Sequence, residues 1–358
     1  MNARESRPVL LLGSVPLESP AAVFEAVAGA LGGLVRRIPD GETGPRSQGI
    51  TFQGGTLRGA KGVDLLSERT MLDGTKRPVL AAKPGVTTAG VQFGAAGYAE
   101  AALQSYVEFQ RLRADGIIPA GVRFQVCLPT PVGVVFGFFA PSSVRTVWPA
   151  YERRIQLELD QIVRGIPHDD LAIQWDISTE IARILEFPDV AKLYPAEELA
   201  KGVGRVCDNV PAAVEVGLHL CYGDMRHRHW VEPRDAGLMV EFANLLAETI
   251  DRPITWLHLP VPRDRDDDEF FAPLRDLQIQ PSTELYLGLV HLTDAIEGAA
   301  RRLAAAERVV THFGVAAECG LGRRPVQTIP ALLALHRAVA ELETGAAGTQ
   351  DGPVDNQP

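Results

Sequence analysis

Short aliphatic runs alternate along the chain with longer stretches in which apolar residues recur at the i, i+3, i+4 spacing of a helix. Eight runs are bounded by Gly, Pro or Asp: Val9–Gly13, Leu34–Ile38, Val122–Leu128, Leu171–Trp175, Val214–Leu220, Ile254–Leu259, Leu285–Val290 and Val309–Ala316. The helical stretches are Pro20–Leu31, Ala96–Ala114, Val147–Val163, Ala196–Val206, Asp235–Thr249, Ile296–Ala306 and Val326–Glu343. This alternation predicts βα units around a parallel sheet, and eight runs predict an α/β fold with a closed (β/α)₈ TIM barrel.

Residues 41–94 depart from this alternation. They are rich in Gly, Thr, Lys and Arg and contain one further strand candidate, Pro78–Ala82. We therefore predict a long insertion after strand two that lies over the barrel mouth. The last residues, 345–358, contain few hydrophobic residues and are predicted to form a disordered tail behind a single catalytic barrel of residues 1–344.

Length and charge narrow the class of partner. The 358 residues fit one barrel, and the net charge of -10 disfavours nucleic acid and anionic membranes as partners. No apolar run approaches the roughly 20 residues of a membrane span, and the start lacks a signal-peptide pattern. We expect a cytoplasmic enzyme with a small-molecule partner, and the sequence leaves open a homo-oligomer.

A His-x-Cys pair provides the first sign of chemistry. His219 and Cys221 end the fifth predicted strand, where residues i and i+2 face the same way. Cys319 follows the eighth strand and precedes a loop of Gly and Arg. Active sites of such barrels lie where the strands end, and the four scattered cysteines indicate reduced thiols. The three residues thus predict a zinc site, with a buried structural His and Cys as the alternative.

Other strand ends also carry polar residues. They are Ser14, Glu42, Asp176, His258 and His291. A structural role is the alternative for each of them, but their shared placement favours one functional site. Arg323 follows Cys319 closely and is a candidate to clamp a carboxylate, phosphate or sulfonate.

These motifs together resemble the catalytic barrel of cobalamin-independent methionine synthase, within the zinc thiol methyltransferases of the uroporphyrinogen decarboxylase-like superfamily. The similar segments are Leu12-Gly13-Ser14, Asp40-Gly41-Glu42, Leu128–Val132, Ile173-Gln174-Trp175-Asp176, His219-Leu220-Cys221-Tyr222, Gly288–His291 and Cys319-Gly320-Leu321. The resemblance implies Zn²⁺ on His219, Cys221 and Cys319. It also implies that Ser14, Glu42 and Asp176 hold an amino-acid thiol, and that His291 transfers a proton.

The chain differs from that family in three respects. Full-length members carry a second, amino-terminal barrel used in folate binding, so we expect a donor simpler than polyglutamyl folate. The family's Glu-Pro-Ala after the aspartate is replaced by Ile177-Ser178-Thr179-Glu180. The family's glutamate zinc ligand lies on strand six, where this chain has His258, which we predict as the fourth ligand.

We therefore expect a transferase that activates a homocysteine-like thiol as a thiolate for methyl or alkyl transfer. Asp176 and Glu42 would orient the substrate, and His291 would handle a proton. One alternative is a lyase or transferase that acts on an alkyl thioether of a sulfonated thiol such as coenzyme M. Another is a zinc-free decarboxylase of the uroporphyrinogen decarboxylase type.

Overall fold

Ten strands are present in the computed structural model, which describes residues 6–71, 74–181, 193–223 and 232–343. They are β1 (Val9–Leu10), β2 (Arg37–Pro39), β3 (Val63–Thr70), β4 (Lys76–Ala82), β5 (Arg123–Pro129), β6 (Leu171–Ile177), β7 (Glu215–Leu220), β8 (Trp256–Pro260), β9 (Glu284–Val290) and β10 (Gly314–Ala317). Eight of them form one sheet in the order β1-β10-β9-β8-β7-β6-β5-β2, and every pairing is parallel.

The two ends of this sheet meet. Parallel bridges join Val9 to Val35 and Ser14 to Gly41, which brings the edges at β1 and β2 together. The predicted α/β TIM barrel is therefore confirmed. Trp256 and Tyr286 belong to a small apolar cluster, separate from the main core, that also contains Leu10, Leu12, Ala172 and Ala316 from the barrel strands.

Ten α-helices lie wholly within the described residues. They are α1 (Pro20–Leu31), α2 (Gly54–Arg58), α3 (Tyr98–Ala114), α4 (Pro131–Phe138), α5 (Val144–Gly165), α6 (Ala196–Asp208), α7 (Gly237–Thr249), α8 (Asp268–Phe271), α9 (Ala295–Glu307) and α10 (Ile329–Ala340). All seven predicted helices are present. In α1, Ser19 accepts a hydrogen bond from the Ala22 amide and Pro20 occupies the first turn, both of which favour a helix start.

Helices α2, α4 and α8 and strand β3 were not predicted, and one predicted strand starts late. Helix α4 has no amphipathic period because nearly all of its residues are buried, so its sequence does not distinguish it from a buried strand. The eighth barrel strand starts at Gly314, later than predicted, because Val309 and Val310 cap the end of α9 with backbone hydrogen bonds to Ala306.

The predicted insertion after strand two is also present. It contains an antiparallel hairpin of β3 and β4, the second of which covers the predicted strand Pro78–Ala82. A Cβ placed on Gly322, in the loop after β10, would lie 2.7 Å from the Ser47 carbonyl. The insertion therefore touches the barrel mouth. The predicted disordered tail lies outside the described residues and stays a prediction.

A buried arginine closes the opposite end of the barrel. Arg37 forms ion pairs with Glu215 and Glu284, and its guanidinium lies 4.2 Å from the ring centroid of Trp256. Among the described helices, none combines the length and apolar character that a membrane span requires.

Candidate metal centre and active site

Three soft donor atoms gather at the mouth of the barrel. The Sγ atoms of Cys221 and Cys319 lie 3.7 Å apart, and Cys319 Sγ lies 3.8 Å from His219 Nε2. All three atoms are within 4.8 Å of one another. Ligand atoms of a tetrahedral zinc site with bonds of ~2.0–2.3 Å lie roughly 3.3–3.8 Å apart. The chemistry of the three donors, and two of their three separations, therefore fit a zinc ion.

The backbone explains why these atoms converge. His219 is in β7, and Cys221 directly follows that strand, so that their side chains point the same way. The Cys221 amide donates to the Ile177 carbonyl at 3.0 Å, which continues the parallel ladder past the strand end. The Gly223 amide donates to Cys221 Sγ at 3.3 Å. A thiolate at Cys221 is thereby stabilised by a backbone donor.

His258, the predicted fourth ligand, is not among the gathered donor atoms. Its Nδ1 lies 2.9 Å from His219 Nδ1, and its Nε2 lies 3.1 Å from the Ala317 carbonyl oxygen. Burial lowers the pKa of His258 to about 4 and that of His219 well below its usual value. Both imidazoles are therefore neutral, and both nitrogens of His258 face partners within the protein.

Two predicted substrate residues form a coupled acid pair. Burial, followed by the charge of Asp176, raises the pKa of Glu42 to about 8, and burial raises that of Asp176 to about 7. A Cβ placed on Gly13 would lie 3.2 Å from Glu42 Oε2, so Glu42 reaches the end of the first strand. Each carboxyl therefore holds a proton at a higher pH than a free carboxyl does, and a bound cation beside them would be favoured.

The backbone that carries Glu42 is constrained. Glu42 has a φ of +48°, which is uncommon for a residue with a side chain, and its amide donates to Asp40 Oδ1 at 2.9 Å. Asp40 in turn accepts hydrogen bonds from Arg46 at 2.6 Å and from the Ser105 hydroxyl at 2.8 Å. These contacts hold the Glu42 carboxyl at the mouth.

A chain of amides orients the other acid. Gln174 Nε2 donates to Asp176 Oδ1 at 2.8 Å, and Gln125 Nε2 donates to Gln174 Oε1 at 3.1 Å. Gln125 also donates to the Leu11 carbonyl at 3.0 Å. Both amides are fully buried, so Asp176 is held by a network rather than by a mobile contact.

Ser14 and Arg323 lie on the side of the mouth formed by the loop after β10. Ser14 Oγ accepts a hydrogen bond from the Gly322 amide at 3.2 Å, and the Ser14 carbonyl accepts one from the Leu321 amide at 2.7 Å. The positive charge of Arg323 acts to lower the pKa of Glu42. The structure therefore brings Ser14, Glu42, Asp176 and Arg323 to one mouth.

His291 lies at the end of β9 and is buried. Its Nε2 lies 2.9 Å from the Val261 carbonyl, which can only accept, so that nitrogen carries the hydrogen. Its Nδ1 lies 3.7 Å from Glu318 Oε2, and burial lowers the pKa of the ring. Glu318 directly precedes Cys319, and our sequence reasoning assigned it no role.

Glu180 is a second group that sequence reasoning did not assign to the site. It is fully buried and accepts a hydrogen bond from the Thr130 hydroxyl, which also caps α4. Burial raises the pKa of Glu180 to about 7, and its charge raises that of Asp176. A glutamate four residues after a strand-end aspartate was the only available signal.

Comparisons with known proteins support the fold. No family model matches the chain, and no curated protein is similar to it in sequence. A solved structure of a B12-independent methionine synthase from Shewanella sp. W3-18-1, in complex with selenomethionine, matches with a TM-score of 0.60 at 14% identity. The match covers 94% of this chain and 97% of that chain.

Two further structures match less closely. A putative vitamin-B12 independent methionine synthase from Listeria monocytogenes has a TM-score of 0.51 at 11% identity, covering 89% of this chain and 86% of that chain. A methyltransferase from Methanosarcina mazei has a TM-score of 0.50 at 12% identity, covering 93% and 94%. At these identities the likeness concerns the fold alone, and at that level it confirms the resemblance expected from the sequence.

Proposed function

We propose that this barrel is a zinc-dependent transferase that activates a small amino-acid thiol, such as homocysteine, for methyl or alkyl transfer. The observation that carries the proposal is the convergence of His219 Nε2 and the two thiols of Cys221 and Cys319 within 4.8 Å at the barrel mouth. Bound there, zinc would lower the pKa of a substrate thiol and so supply a thiolate nucleophile near neutral pH. The Shewanella structure contains selenomethionine, in which selenium replaces the sulfur of a thioether. A thioether is the kind of product that such a reaction forms.

The acid pair supports an amino-acid substrate. Burial raises the pKa of both Glu42 and Asp176, and an ammonium group beside them would take the place of their protons. Arg323, whose positive charge acts on Glu42, would attract the substrate carboxylate. The ammonium and carboxylate groups of an amino acid would then be held while its thiol reaches the metal.

His291 would handle the proton of the reaction at its Nδ1 atom. The Nε2 hydrogen is engaged with the Val261 carbonyl, so Nδ1 is the nitrogen with a lone pair to offer. Glu318 Oε2 lies 3.7 Å from it and would stabilise the protonated ring.

The two alternatives fit these observations less well. A sulfonated thiol such as coenzyme M has no ammonium group, and its sulfonate would meet two buried carboxyls, although Arg323 favours an anion. A decarboxylase of the uroporphyrinogen decarboxylase type needs no zinc, which leaves the convergence of His219, Cys221 and Cys319 without a role.

Metal content provides the first test. The purified protein should hold about one zinc per chain, and Cys319→Ser should lose most of it, because a neutral hydroxyl replaces a thiolate ligand. Cys207→Ser is the matched control, since Cys207 is buried in α6, away from the mouth. This variant should keep its zinc. Zinc far below one per chain, unaffected by chelator, would contradict the proposal.

Thiol specificity provides the second test. Homocysteine and coenzyme M are titrated calorimetrically into zinc-loaded protein at neutral pH in two buffers of different ionisation enthalpy, which reports proton release. S-methyl products are then measured by mass spectrometry with methylcobalamin and monoglutamyl methylfolate as donors. We expect binding with proton release and methylation for homocysteine; the reverse preference would support the sulfonated-thiol alternative.

A further inference from the structure

His258 is fully buried between the metal-binding candidate His219 and the last barrel strand. We infer that it is a positioning residue, which holds His219 in one tautomer and one ring orientation, and that it is not itself a ligand. The inference rests on the metal site of the proposed function. It adds a specific role for a histidine located where the similar family has a glutamate ligand.

Hydrogen-bond logic fixes the direction of each bond. The Ala317 carbonyl can only accept, so His258 Nε2, at 3.1 Å, carries the hydrogen. In a neutral ring the other nitrogen, Nδ1, is then an acceptor. His219 Nδ1, at 2.9 Å, must donate to it, which leaves the lone pair of His219 on Nε2. That atom is the one that lies 3.8 Å from Cys319 Sγ.

The strand pairing supports this relay, by which we mean the chain of hydrogen bonds from His219 through His258 to the Ala317 carbonyl. His219 and His258 are register partners in β7 and β8, so their side chains lie at the same level of the barrel. The pairing of β10 with β9 is irregular between Val315 and Ala317, at the point where the Ala317 carbonyl receives the hydrogen bond. Bulges of this kind often redirect groups beside active sites.

A glycine makes room for the same contact. A Cβ placed on Gly288 would lie 3.2 Å from His258 Nε2, 3.0 Å from the Ala317 oxygen and 2.8 Å from the Glu318 Cα. Any side chain there would press on both partners of the hydrogen bond. The relay therefore involves β7, β8, β9 and β10 together.

This assignment changes the expected coordination. With His258 engaged at both nitrogens, the described residues supply three clustered donors, and a three-ligand zinc site keeps an open position for substrate. His219 gains a hydrogen-bond partner, His258, at its Nδ1 atom. Such a partner on the second nitrogen of a metal-binding histidine usually strengthens metal binding. A neutral imidazole provides that support without adding negative charge to the site.

The test compares two substitutions of His258 by their Zn²⁺ affinity, measured by competition with a chromophoric chelator. His258→Phe removes both hydrogen bonds and should weaken Zn²⁺ binding about 10–100-fold. His258→Asn keeps an acceptor near the Nδ1 position and should recover much of that loss. His336→Asn is the matched control, since His336 is equally buried in α10 and bonds only Leu332 there, and should bind Zn²⁺ as the wild type does.

Spectroscopy separates a positioning role from a ligand. X-ray absorption of the zinc-loaded proteins should report one nitrogen and two sulfur donors from the protein in the wild type and in both His258 variants. The Co²⁺-substituted proteins should keep their thiolate charge-transfer bands, with d–d bands that shift in His258→Phe and return towards the wild type in His258→Asn.

Loss of one nitrogen donor in both variants would overturn the inference and make His258 a ligand. Unchanged Zn²⁺ affinity in a folded His258→Phe protein would overturn it as well. If the wild type itself binds no Zn²⁺, the proposed function fails instead. If His258→Phe does not fold, Gly288→Ala tests the same hydrogen bond from β9, the strand between His258 and Ala317, and should also weaken Zn²⁺ binding.

Discussion

The two carboxyl side chains at the barrel mouth are ionisable groups in a buried setting. Glu42 and Asp176 are held where burial disfavours their negative charge, and hydrogen bonds with neighbouring residues fix the position of each. Asp40, tied to Arg46, supports Glu42, whereas Gln174 supports Asp176. A carboxyl held in this way stores an electrostatic preference for a cation, which is the property that an ammonium-binding site requires.

This preference predicts a pH dependence of substrate binding. The KM for homocysteine should fall as pH rises through about 7 and about 8, because the pair then gives up the proton that competes with the substrate ammonium. Glu42→Gln should raise the KM about tenfold or more and flatten this dependence. Steady-state kinetics across that range measure both effects.

Glu25→Gln, on the exposed face of α1, is the control for this measurement and should leave the profile unchanged. A KM that is constant across the range in the wild type would show that the pair does not contact the substrate ammonium.

In the contact between β7 and β8, the Trp256 ring packs against Gly217, which has no side chain. Gly217 is the register partner of Trp256, and a Cβ on Gly217 would lie 1.8 Å from Trp256 Cε2. The fully buried indole therefore fits inside the barrel only because β7 carries glycine there. Since His219 follows two residues later on the same face, this packing also sets the position of a proposed metal ligand.

Gly217→Ala should accordingly destabilise the protein. Overpacking of a buried contact lowers the free energy of unfolding by about 1–3 kcal/mol, measured as a lower urea midpoint. Gly29→Ala in α1, with no atom within 4 Å of the added Cβ, should be neutral or slightly stabilising. Adding Trp256→Leu to Gly217→Ala should relieve the clash; if the double variant is no more stable than the sum of the single effects predicts, the mechanism is wrong.

The whole molecule is held together across long sequence separations. Cys221 and Cys319 are 98 residues apart yet lie on one rim, and at the other end Arg37 joins β2 to Glu215 and Glu284 in β7 and β9. A metal at the rim would link β7 to the segment after β10. Because the unfolded chain does not hold these ligands together, metal binding would stabilise the folded state.

Thermal unfolding tests this linkage. With free Zn²⁺ at a hundred times its Kd, the folded state gains about 2.7 kcal/mol, which raises the Tm of a chain this size by roughly 3–4 °C. Chelator should remove the shift, Cys319→Ser should lack it, and Cys207→Ser should retain it. An equal shift in Cys319→Ser would place the bound metal elsewhere.

The sequence predicts the architecture closely because the helices and strands of the barrel have regular spacing of apolar residues. Seven helices and eight barrel strands follow from apolar spacing between Gly and Pro boundaries. Helix α4 and strand β3 were not predicted, since α4 is buried on nearly all sides and β3 is exposed along most of its length. Neither has the one-sided pattern that marks an element in sequence.

The cluster of His219, Cys221 and Cys319 could also be predicted from local sequence pattern. His219 and Cys221 lie two residues apart on one strand, and Cys319 ends another, so the rule that parallel strands finish at one rim is sufficient to bring them together. The parts that Glu180, Glu318 and His258 play were not accessible in this way. They depend on which partner each side chain meets, and those partners, Thr130, His291, His219 and Ala317, come from other strands and loops. Strand order brings a residue to the rim, but only packing between elements directs its hydrogen bonds.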